Sequence, residues 1–414
     1  MSNWQQQVKD NKHFCMLPFT HMHLSTDNAA KLCCVADWRE SLFEDLTDKT
    51  FDEIWNSPAY QKIRQDMIDG KPIKACHMCY ALDEKGGGSD RWAHNNYFKA
   101  PTHDWDISVE TGNTTEKPLW LDLRPGRFCN LGCRMCFVAV SSTFADEHKK
   151  HPELEEVTGE SWFELQEWID NPTMYESLKA LIPHIKTIKL AGGEPLFMPG
   201  VIKFLKWCVD SGNTHLHLDI TTNGTRGKGK VINWLEKFDN VDIQYSIDGI
   251  GYTNDYIRHP SEWNTIETNY QMYRTVSSVS TVNILSTVQA YNVFDLPNII
   301  DFWKEHEEHS NNILVFNHVN WPEDMSIDII PYDERMKIAD QIEQRVKNLP
   351  EYRKTQCRMD ATVFRLRSKF DNLDERRLKW AKRTVKYDQI RNQDIGLVHP
   401  KLAEYRDQWL KIKI

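Results

Sequence analysis

Three cysteines, Cys129, Cys133 and Cys136, follow one another in the string CNLGCRMCF with the spacing C-x3-C-x2-C. Thiolates are the usual ligands of iron–sulfur clusters, and a closed cluster uses four of them. Three thiolates leave one iron without a protein ligand, and an open coordination position can bind a substrate. Structural zinc is the alternative, but zinc prefers four ligands, usually from paired C-x2-C motifs. The spacing therefore predicts an iron–sulfur cluster with one open iron.

A second group of cysteines lies before residue 80. Cys76 and Cys79 form a C-x2-C motif, and Cys15, Cys33 and Cys34 can supply the remaining thiolates. Four thiolates complete either a second iron–sulfur cluster or a structural zinc site. Clustered cysteines in a chain without a secretory signal argue for metal or redox chemistry instead of disulfides. The sequence therefore predicts two cysteine-ligated sites, of which only the first has an open position.

The composition argues against several classes of protein. The 414 residues carry a formal net charge of -9, which argues against a nucleic-acid partner because phosphate binding requires a basic surface. No apolar run approaches the roughly 20 residues that a membrane-crossing helix needs. The first residues, MSNWQQQ, lack the apolar segment of a signal peptide. We therefore expect a soluble, cytoplasmic protein without a membrane or nucleic-acid partner.

Several cysteine, histidine and basic residues are expected to have no role in ligand binding or catalysis. Cys208 and Cys357 stand apart from both cysteine groups and should be thiols without a ligand role. The basic residues within 376–383 should form a solvated helix face, because charge runs usually do. The histidines near the N-terminal cysteines should be surface or hydrogen-bonded side chains: His21, His23 and His77.

The elements that must position the first three cysteines begin at residue 119, where short β-rich runs alternate with amphipathic stretches. Strands are predicted at 119–123, 187–191, 216–222, 242–247, 282–288 and 313–319. Helices are predicted near 141–150, 162–182, 200–211, 230–238, 263–277 and 295–308. Six such units predict a parallel sheet covered by helices. A full barrel needs about 250 residues, so an open barrel is favoured over the alternative, a flat doubly wound sheet.

The expected fold class is α/β: a partial (β/α)6 TIM-like barrel with an N-terminal auxiliary-cluster domain and a helical C-terminal extension. Before the barrel, the chain looks irregular apart from a helix over 51–70, and the polar stretch 101–118 marks a boundary. After about residue 325 the strand signals stop, and 333–414 reads as helices. The predicted domains are 1–100, 115–325 and 326–414.

The cysteine triplet, together with the aromatic Phe137 after its third cysteine, resembles the signature of the radical S-adenosylmethionine (SAM) superfamily. LAGGEP (190–195), TTNGT (221–225) and SIDG (246–249) follow the second, third and fourth predicted strands, where that family has its SAM-binding motifs. The resemblance covers about 115–325. It implies that the cluster binds SAM at its open iron and cleaves it reductively to a 5′-deoxyadenosyl radical, which abstracts hydrogen from a substrate.

The resemblance also assigns SAM-binding residues. Gly192, Gly193 and Glu194 should receive the amino group of the methionine moiety, since glycine lets it approach the backbone closely. The guanidinium of Arg258 should bind the carboxylate, which suits its forked geometry. The further residues that the resemblance assigns to SAM or to its pocket are Phe137, Asn223, Ser246 and, at the end of the sixth strand, Val319.

The N-terminal region resembles the SPASM/twitch accessory domains of peptide-modifying radical SAM enzymes. The resemblance is carried by CMLPF (15–19), by the helix and arginine in FDEIWNSPAYQKIRQDM (51–67) and by CHMC (76–79). Here the domain precedes the barrel, whereas it usually follows. Asn28 replaces the family's turn glycine and can also adopt a positive φ. Counting from Asn28 favours Cys33 over Cys34, so the implied ligands of an auxiliary 4Fe–4S cluster are Cys15, Cys33, Cys76 and Cys79, with zinc as the alternative.

The two resemblances together favour a peptide or protein side chain as the substrate of hydrogen abstraction. The implied partner is an electron donor such as a flavodoxin or ferredoxin. The runner-up is a radical SAM enzyme acting on a small molecule, for example a sugar or nucleoside derivative. A non-catalytic iron–sulfur or zinc scaffold is the third alternative, and it would predict no SAM turnover.

Overall fold

The computed structural model of the protein describes residue 8 and residues 11–37, 39–40, 42–84, 88–98, 108, 110–307 and 311–413. The predicted boundary at 101–118 therefore lies partly outside the described residues. The chain divides into two compact units. The first unit comprises Met1–Arg127, Leu165–Asp219 and Lys237–Asn240, and the second comprises Phe128–Glu164, Ile220–Glu236 and Val241–Ile414.

The strands of the described residues are β1 (His21–Leu24), β2 (Ala29–Lys31), β3 (Leu42–Asp45), β4 (Trp120–Leu123), β5 (Thr187–Leu190), β6 (His217–Thr222), β7 (Asn240–Ser246), β8 (Val279–Val288) and β9 (Leu314–His318). Each of the six strands predicted after residue 119 is present, as β4 to β9. Helices lie between them, so the strand–helix alternation expected of a partial (β/α)6 barrel is confirmed.

The described helices before residue 275 are α1 (Leu17–Thr20), α2 (Phe51–Trp55), α3 (Pro58–Ile68), α4 (His77–Glu84), α5 (Asp90–Tyr97), α6 (Ser142–Lys150), α7 (Glu155–Thr158), α8 (Pro172–Leu181), α9 (Pro199–Asp210), α10 (Lys230–Leu235), α11 (Tyr252–Ile257) and α12 (Trp263–Tyr273). Those after it are α13 (Leu296–Glu307), α14 (Tyr332–Val346), α15 (Glu351–Gln356), α16 (Met359–Arg367), α17 (Asp374–Arg391), α18 (Ile395–Val398) and α19 (Pro400–Trp409). The helical C-terminal extension is thus confirmed. Within the described ranges, no helix combines the length and the apolar composition that crossing a membrane requires.

In the first unit the strand order is β3-β2-β1-β4-β5. β1 pairs antiparallel with β2, β2 pairs antiparallel with β3, and β1 runs parallel to β4. The prediction that the region before the barrel is irregular apart from one helix is therefore wrong. Its strands gave no period-two signal, because β1 is buried at all four of its positions and β2 has only three residues.

The sheet of the first unit has one apolar and one polar face. On β4 and β5, the side chains of Leu121, Leu123, Ile188 and Leu190 are at most 1% exposed. Successive residues of a strand point to opposite faces, so the residues between them lie on the other face. That second face carries polar side chains, among them Asp122 on β4 and Lys189 on β5.

In the second unit β7, β8 and β9 are parallel neighbours.

Two predicted helices differ from the expectation in their bounds. The helix predicted over 51–70 is two helices, because Ser57 caps a new helix that has Pro58 in its first turn. The helix predicted from 162 begins only at Pro172, capped by the side chain of Asn171.

The basic stretch 376–383 is not wholly a solvated helix face. Arg383 is 1% exposed and donates from Nε to the Asp324 carboxylate at 2.8 Å. Arg377 donates to the Ile329 carbonyl oxygen at 2.9 Å. These two arginines tie α17 to the segment that follows β9, so part of the charge run has a structural role.

Candidate cluster and cofactor sites

The loop that carries the first three cysteines is tied to the start of α6. The Thr143 hydroxyl donates to the Cys129 carbonyl oxygen at 2.7 Å, and the Cys129 N–H donates to the Ser142 hydroxyl at 3.0 Å. Ser141 caps the helix, and its hydroxyl donates to the Leu131 carbonyl oxygen at 2.6 Å. The helix start therefore fixes the backbone of the first half of the loop.

The thiols of Cys133 and Cys136 are hydrogen-bonded to each other. This contact lowers the pKa of Cys133 and raises the pKa of Cys136. The charge of Cys129 also acts on Cys136, so the structure brings the three predicted ligands together. Thiolates are the form that binds iron. The donor set and its arrangement in one loop fit a cluster held by three cysteines.

Arg134, between the second and third cysteines, received no role from the sequence, yet it anchors the loop. Its side chain is fully buried and pairs with Asp388 at 2.7 Å. It also donates to the Gln393 side chain at 2.9 Å and to the Tyr256 carbonyl oxygen at 3.0 Å. The guanidinium lies 3.7 Å from the centre of the Tyr256 ring, a cation–π contact. This residue joins the cysteine loop to α11 and α17.

The backbone of the loop is fixed as well. The N–H groups of Gly132 and Arg134 donate to the carbonyl oxygens of His259 and Ile257, each at 2.8 Å. The carbonyl oxygen of Gly132 accepts from Arg391 at 2.6 Å. Each of these groups is thus paired, which is what a loop must achieve if it is to hold three thiols in place without solvent.

Arg258 lies near the cysteine loop, because its charge acts on both Cys133 and Cys136. It is 7% exposed and pairs with Asp248 at 2.8 Å. Asp248 is itself anchored, since its Oδ1 accepts from the Thr287 N–H at 2.6 Å. Within the described residues the Arg258 Nε is buried without a hydrogen-bond partner. A buried guanidinium with an unused donor is suited to a second carboxylate.

Asn223 also reaches the cysteine loop. Its Nδ2 donates to the Asn130 side-chain oxygen at 2.9 Å and lies 3.9 Å from the Cys129 sulfur. The neighbouring Gly224 has a φ of +77°, and a Cβ there would lie 2.2 Å from the Tyr245 hydroxyl oxygen. Glycine is therefore required at the turn that presents Asn223.

The remaining predicted SAM contacts of the second unit lie at strand or loop ends. Ser246 ends β7 and is 8% exposed. Val319 follows β9, is 6% exposed, and donates from its N–H to the Val288 carbonyl oxygen at 3.0 Å. Phe137 follows the third cysteine directly, and its carbonyl oxygen accepts from the Val140 N–H at 2.9 Å.

Gly192, Gly193 and Glu194 belong to the first unit, where they follow β5. Gly192 has a φ of +105°, and the Gly193 N–H donates to the Gly126 carbonyl oxygen at 3.1 Å. Glu194 is fully buried, and its Oε1 accepts from the Leu196 N–H at 3.2 Å. The loop is thus a tight turn whose shape depends on glycine.

We expect Gly192→Ala to destabilise the first unit more than Gly212→Ala does. Both glycines have positive φ, at +105° and +73°, which costs an alanine about 1–3 kcal/mol. Only at Gly192 would the new Cβ meet the backbone, at 2.9 Å from the Gly126 carbonyl oxygen, whereas nothing lies within 4 Å at Gly212. Urea unfolding of both variants measures the difference, and equal losses of stability would contradict the close approach.

Most of the N-terminal cysteines line one small cavity in the first unit. Four thiols contribute to it: Cys15, Cys33, Cys76 and Cys79. The rest of the lining is mainly apolar: Leu17, Leu32, Val35, Ala36, Ala75, Met78, Asp90 and Arg91. Four cysteines around an apolar cavity provide the donor set of a closed iron–sulfur cluster.

Burial raises the pKa of Cys15 and of Cys76 to about 12, and it also raises the pKa of Cys33 and Cys79. Binding of iron would therefore displace thiol protons. Among the described residues, no three histidine, cysteine, aspartate or glutamate side chains are arranged to hold a single metal ion. A cluster differs from a single ion because each thiolate binds its own iron.

Cys34 does not line the four-cysteine cavity. Its thiol is exposed to solvent, and the charges of Asp122, Arg124 and Lys189 act on it. Burial by the surrounding protein nevertheless raises the pKa of this thiol. Of the two adjacent cysteines, Cys33 is the one that shares a cavity with the other three.

Two features hold the cysteine-rich region in shape. Arg64 is fully buried, donates to the carbonyl oxygens of Pro18 and Trp55, each at 2.8 Å, and lies 4.2 Å from the centre of the Trp55 ring. It thereby joins the segment after Cys15 to α2 and α3. Asn28 has a φ of 58°, the conformation expected for the residue that replaces a turn glycine.

Comparison with known proteins supplies two family matches. The family model of the radical SAM superfamily matches residues 123–301. The SPASM model, described as an iron-sulfur cluster-binding domain, matches residues 15–80. The first match contains the three-cysteine loop, and the second contains all four cysteines of the N-terminal cavity.

The sporulation killing factor maturation protein SkfB of Bacillus subtilis (strain 168) is 26% identical over 156 residues, which are 37% of this chain and 32% of SkfB. The chain thus spans about a third of the length of that curated relative. Streptococcus suis SuiB bound to precursor peptide SuiA has a TM-score of 0.35 at 14% identity, covering 66% of this chain and 59% of SuiB. TYW1 with a lysine-pyruvate adduct bound has a TM-score of 0.32 at 14% identity, covering 66% and 89%.

The cofactors follow from the two matched domains. A radical SAM domain implies a 4Fe–4S cluster and SAM, and a SPASM domain implies additional iron–sulfur ligation. Cysteine sets that suit both requirements lie within the matched residues. The chain contains a radical SAM domain, preceded in the sequence by a SPASM iron–sulfur cluster-binding domain.

Proposed function

We propose that the protein cleaves SAM reductively and uses the product to abstract hydrogen from a peptide or protein side chain. The observation that carries the proposal is the three-cysteine loop, whose thiols interact and whose backbone is anchored on both sides, within the residues that the radical SAM model matches. When bound there, a 4Fe–4S cluster supplies the electron that breaks a carbon–sulfur bond of SAM. The electron reaches it from a donor such as a flavodoxin or ferredoxin.

The chain's own residues would bind the cluster and orient SAM. Cys129, Cys133 and Cys136 would hold a 4Fe–4S cluster, and three thiolates would leave a coordination position for SAM. Arg258 binds the SAM carboxylate with its unused Nε donor, while Asp248 holds the guanidinium in place. By resemblance, the turn at 192–194 is assigned to the amino group of the methionine moiety. Further SAM contacts are assigned in the same way to Phe137, Asn223, Ser246 and Val319.

The auxiliary cluster is held by Cys15, Cys33, Cys76 and Cys79. The common cavity of these four thiols supports this assignment, and the position of Cys34 outside it supports Cys33 as the third ligand. A site with four thiolates is saturated, so its role is electron transfer or structure and not SAM binding. We place the protein in the cytoplasm, where thiols stay reduced.

Replacing Arg258 by methionine should weaken SAM binding to the reconstituted protein about 10- to 100-fold. The reason is that a hydrogen bond between charged groups contributes about 1.5–3 kcal/mol. Equilibrium titration with SAM measures the dissociation constant. The control is Arg274→Met, which alters a half-exposed arginine directly after α12 in the same unit. An unchanged dissociation constant in the Arg258 variant would remove this residue from the SAM site.

The peptide assignment is supported by the SPASM domain and by SkfB, whose name assigns it to the maturation of a killing factor. The alternative is a small-molecule substrate such as a sugar or nucleoside derivative. The test uses peptides and small molecules from cells grown in deuterated medium, each offered with unlabelled SAM. We expect the peptide fraction to transfer deuterium into 5′-deoxyadenosine. The same fraction should transfer no deuterium after it has been digested to amino acids. Deuterium from the small-molecule fraction alone would contradict the peptide assignment.

A further inference from the structure

The polar face of the sheet in the first unit carries a row of charged and polar side chains across adjacent strands. His23, Asp122 and Lys189 occupy paired register positions on β1, β4 and β5. Asp219 on β6 continues the row, because its carboxylate lies 3.8 Å from the Lys189 ammonium group. Aspartate, lysine and aspartate thus alternate in charge along one wall.

The row contains hydrogen-bonding capacity that the described residues do not use. Asp122 is 1% exposed, and its Oδ2 lies 3.1 Å from His23 Nδ1. Its Oδ1 is buried without a hydrogen-bond partner, with the nearest cation, Arg124 Nε, 3.9 Å away. A buried carboxylate oxygen without a hydrogen-bond partner is energetically unfavourable. Such an atom is suited to a donor brought by a ligand.

An open cavity lies at the amino ends of the same strands. Its lining includes residues of α5 and of the strand starts: His94, Tyr97, Phe98, Trp120, Thr187 and His217. Trp120 has His21 and His94 packed around it, with ring centres 4.6 and 5.0 Å away. The cavity is therefore largely aromatic.

The cavity and the charged row are successive layers of one surface. Trp120, Thr187 and His217 stand two residues before Asp122, Lys189 and Asp219 on the same strands. Residues two apart share a face and lie about 6.6 Å apart along the strand. Water reaches the second layer, since the side chains of Lys189 and Asp219 are 26% and 20% exposed. The charged row is therefore the next layer of the face on which the aromatic cavity lies.

The alternation of charge indicates which ligand fits. A ligand carboxylate beside Lys189 would be repelled by Asp122 and Asp219. A ligand ammonium group beside either aspartate would be repelled by Lys189. For either charge, the attraction to one side chain is offset by a comparable repulsion from its neighbours. A neutral amide both donates and accepts. It can give its N–H to the free Oδ1 of Asp122 and accept from Lys189 with its carbonyl oxygen.

We propose that this surface is a substrate subsite that binds an uncharged aromatic or apolar residue of a peptide, with the side chain in the cavity and the adjoining amide on Asp122 and Lys189. The inference rests on the proposed peptide substrate and specifies how the peptide is recognised. It also gives the strand β1, supplied by the SPASM region, a part in the site through His23.

The test measures binding by ligand-observed NMR on the intact, cluster-loaded protein. The probes are N-acetyl-phenylalaninamide, the anion N-acetyl-phenylalanine and the cation 2-phenylethylamine. We expect the neutral amide to bind at least tenfold more tightly than either charged probe. Thr187→Trp fills the cavity, and Lys189→Met removes the ammonium group that donates to the carbonyl oxygen of the bound amide. Each variant should bind the neutral amide at least tenfold more weakly. Thr275→Trp, which alters a polar cavity of the second unit, should leave it unchanged.

Two results would overturn the inference: a charged probe that binds more tightly than the amide, or amide binding that survives Thr187→Trp in a protein with the wild-type melting temperature. Formation of 5′-deoxyadenosine, measured in the same samples, reports on the proposed function separately. Protein that cleaves SAM without binding the amide refutes the subsite alone. Protein that binds the amide without cleaving SAM refutes the proposed activity and leaves the subsite in place.

Discussion

Cys133→Ala should abolish 5′-deoxyadenosine formation while about four irons per chain remain after reconstitution. Cys133 is 4% exposed and shares a hydrogen bond with Cys136, so its removal takes away one of three ligands and the contact that orders a second. A cluster held by three cysteines does not survive that loss, whereas four-cysteine ligation in the N-terminal cavity is untouched. The measurements are an iron count and a dithionite-driven assay of SAM cleavage.

The matched control is Cys208→Ala. Cys208 is fully buried on α9 of the first unit and belongs to neither cysteine group. It should keep about eight irons and full SAM cleavage, apart from a modest loss of stability where the sulfur is removed. Turnover by the Cys133 variant at the wild-type rate would refute the assignment of the catalytic ligands.

Arg134→Met should destabilise the second unit by about 3–5 kcal/mol, because it breaks a buried ion pair and leaves the buried Asp388 with only the more distant Arg406, 3.9 Å away. The change also removes the cation–π contact with Tyr256 and frees the cysteine loop from α17. We therefore expect a second effect, a lower iron content at the catalytic site at ordinary temperatures. Urea unfolding and the iron count measure the two effects independently.

The control for this prediction is Arg367→Met in the same unit. Arg367 pairs with Asp340 and Glu343 at 2.7 and 2.6 Å, but those carboxylates are 66% and 53% exposed. Pairs of this kind contribute at most about 1 kcal/mol. If the Arg134 variant lost no more stability than the Arg367 variant, the buried anchor of the cysteine loop would have no energetic importance.

Much of the catalytic half could be predicted because its signals are local. The cysteine spacing, the glycine turns and the period-two runs of β4 to β9 each lie within a few residues of sequence. Gly192 and Gly224, for example, are required by positive φ and by close approach of neighbouring atoms, and both stand in short motifs. The choice of Cys33 over Cys34 also followed from local spacing, and the four-thiol cavity agrees with that choice.

What the sequence did not reveal depends on contacts between distant residues. Arg134 reads as one more charged residue, and only the fold brings it to Asp388, 254 positions away. The pairing of β1 with β4 joins segments about 100 residues apart, and neither β1 nor β2 has an alternating pattern. The row that begins with His23 could not be found for the same reason, since its members come from four separate strands.

The central claim is that this chain is a SAM-cleaving enzyme with two iron–sulfur clusters. The most direct test is anaerobic reconstitution with iron and sulfide, followed by an iron count and a dithionite-driven assay for 5′-deoxyadenosine. We predict about eight irons per chain, four for each cluster, together with formation of 5′-deoxyadenosine. A protein that holds about eight irons and binds SAM but forms no 5′-deoxyadenosine would contradict the claim and leave an iron–sulfur scaffold in its place.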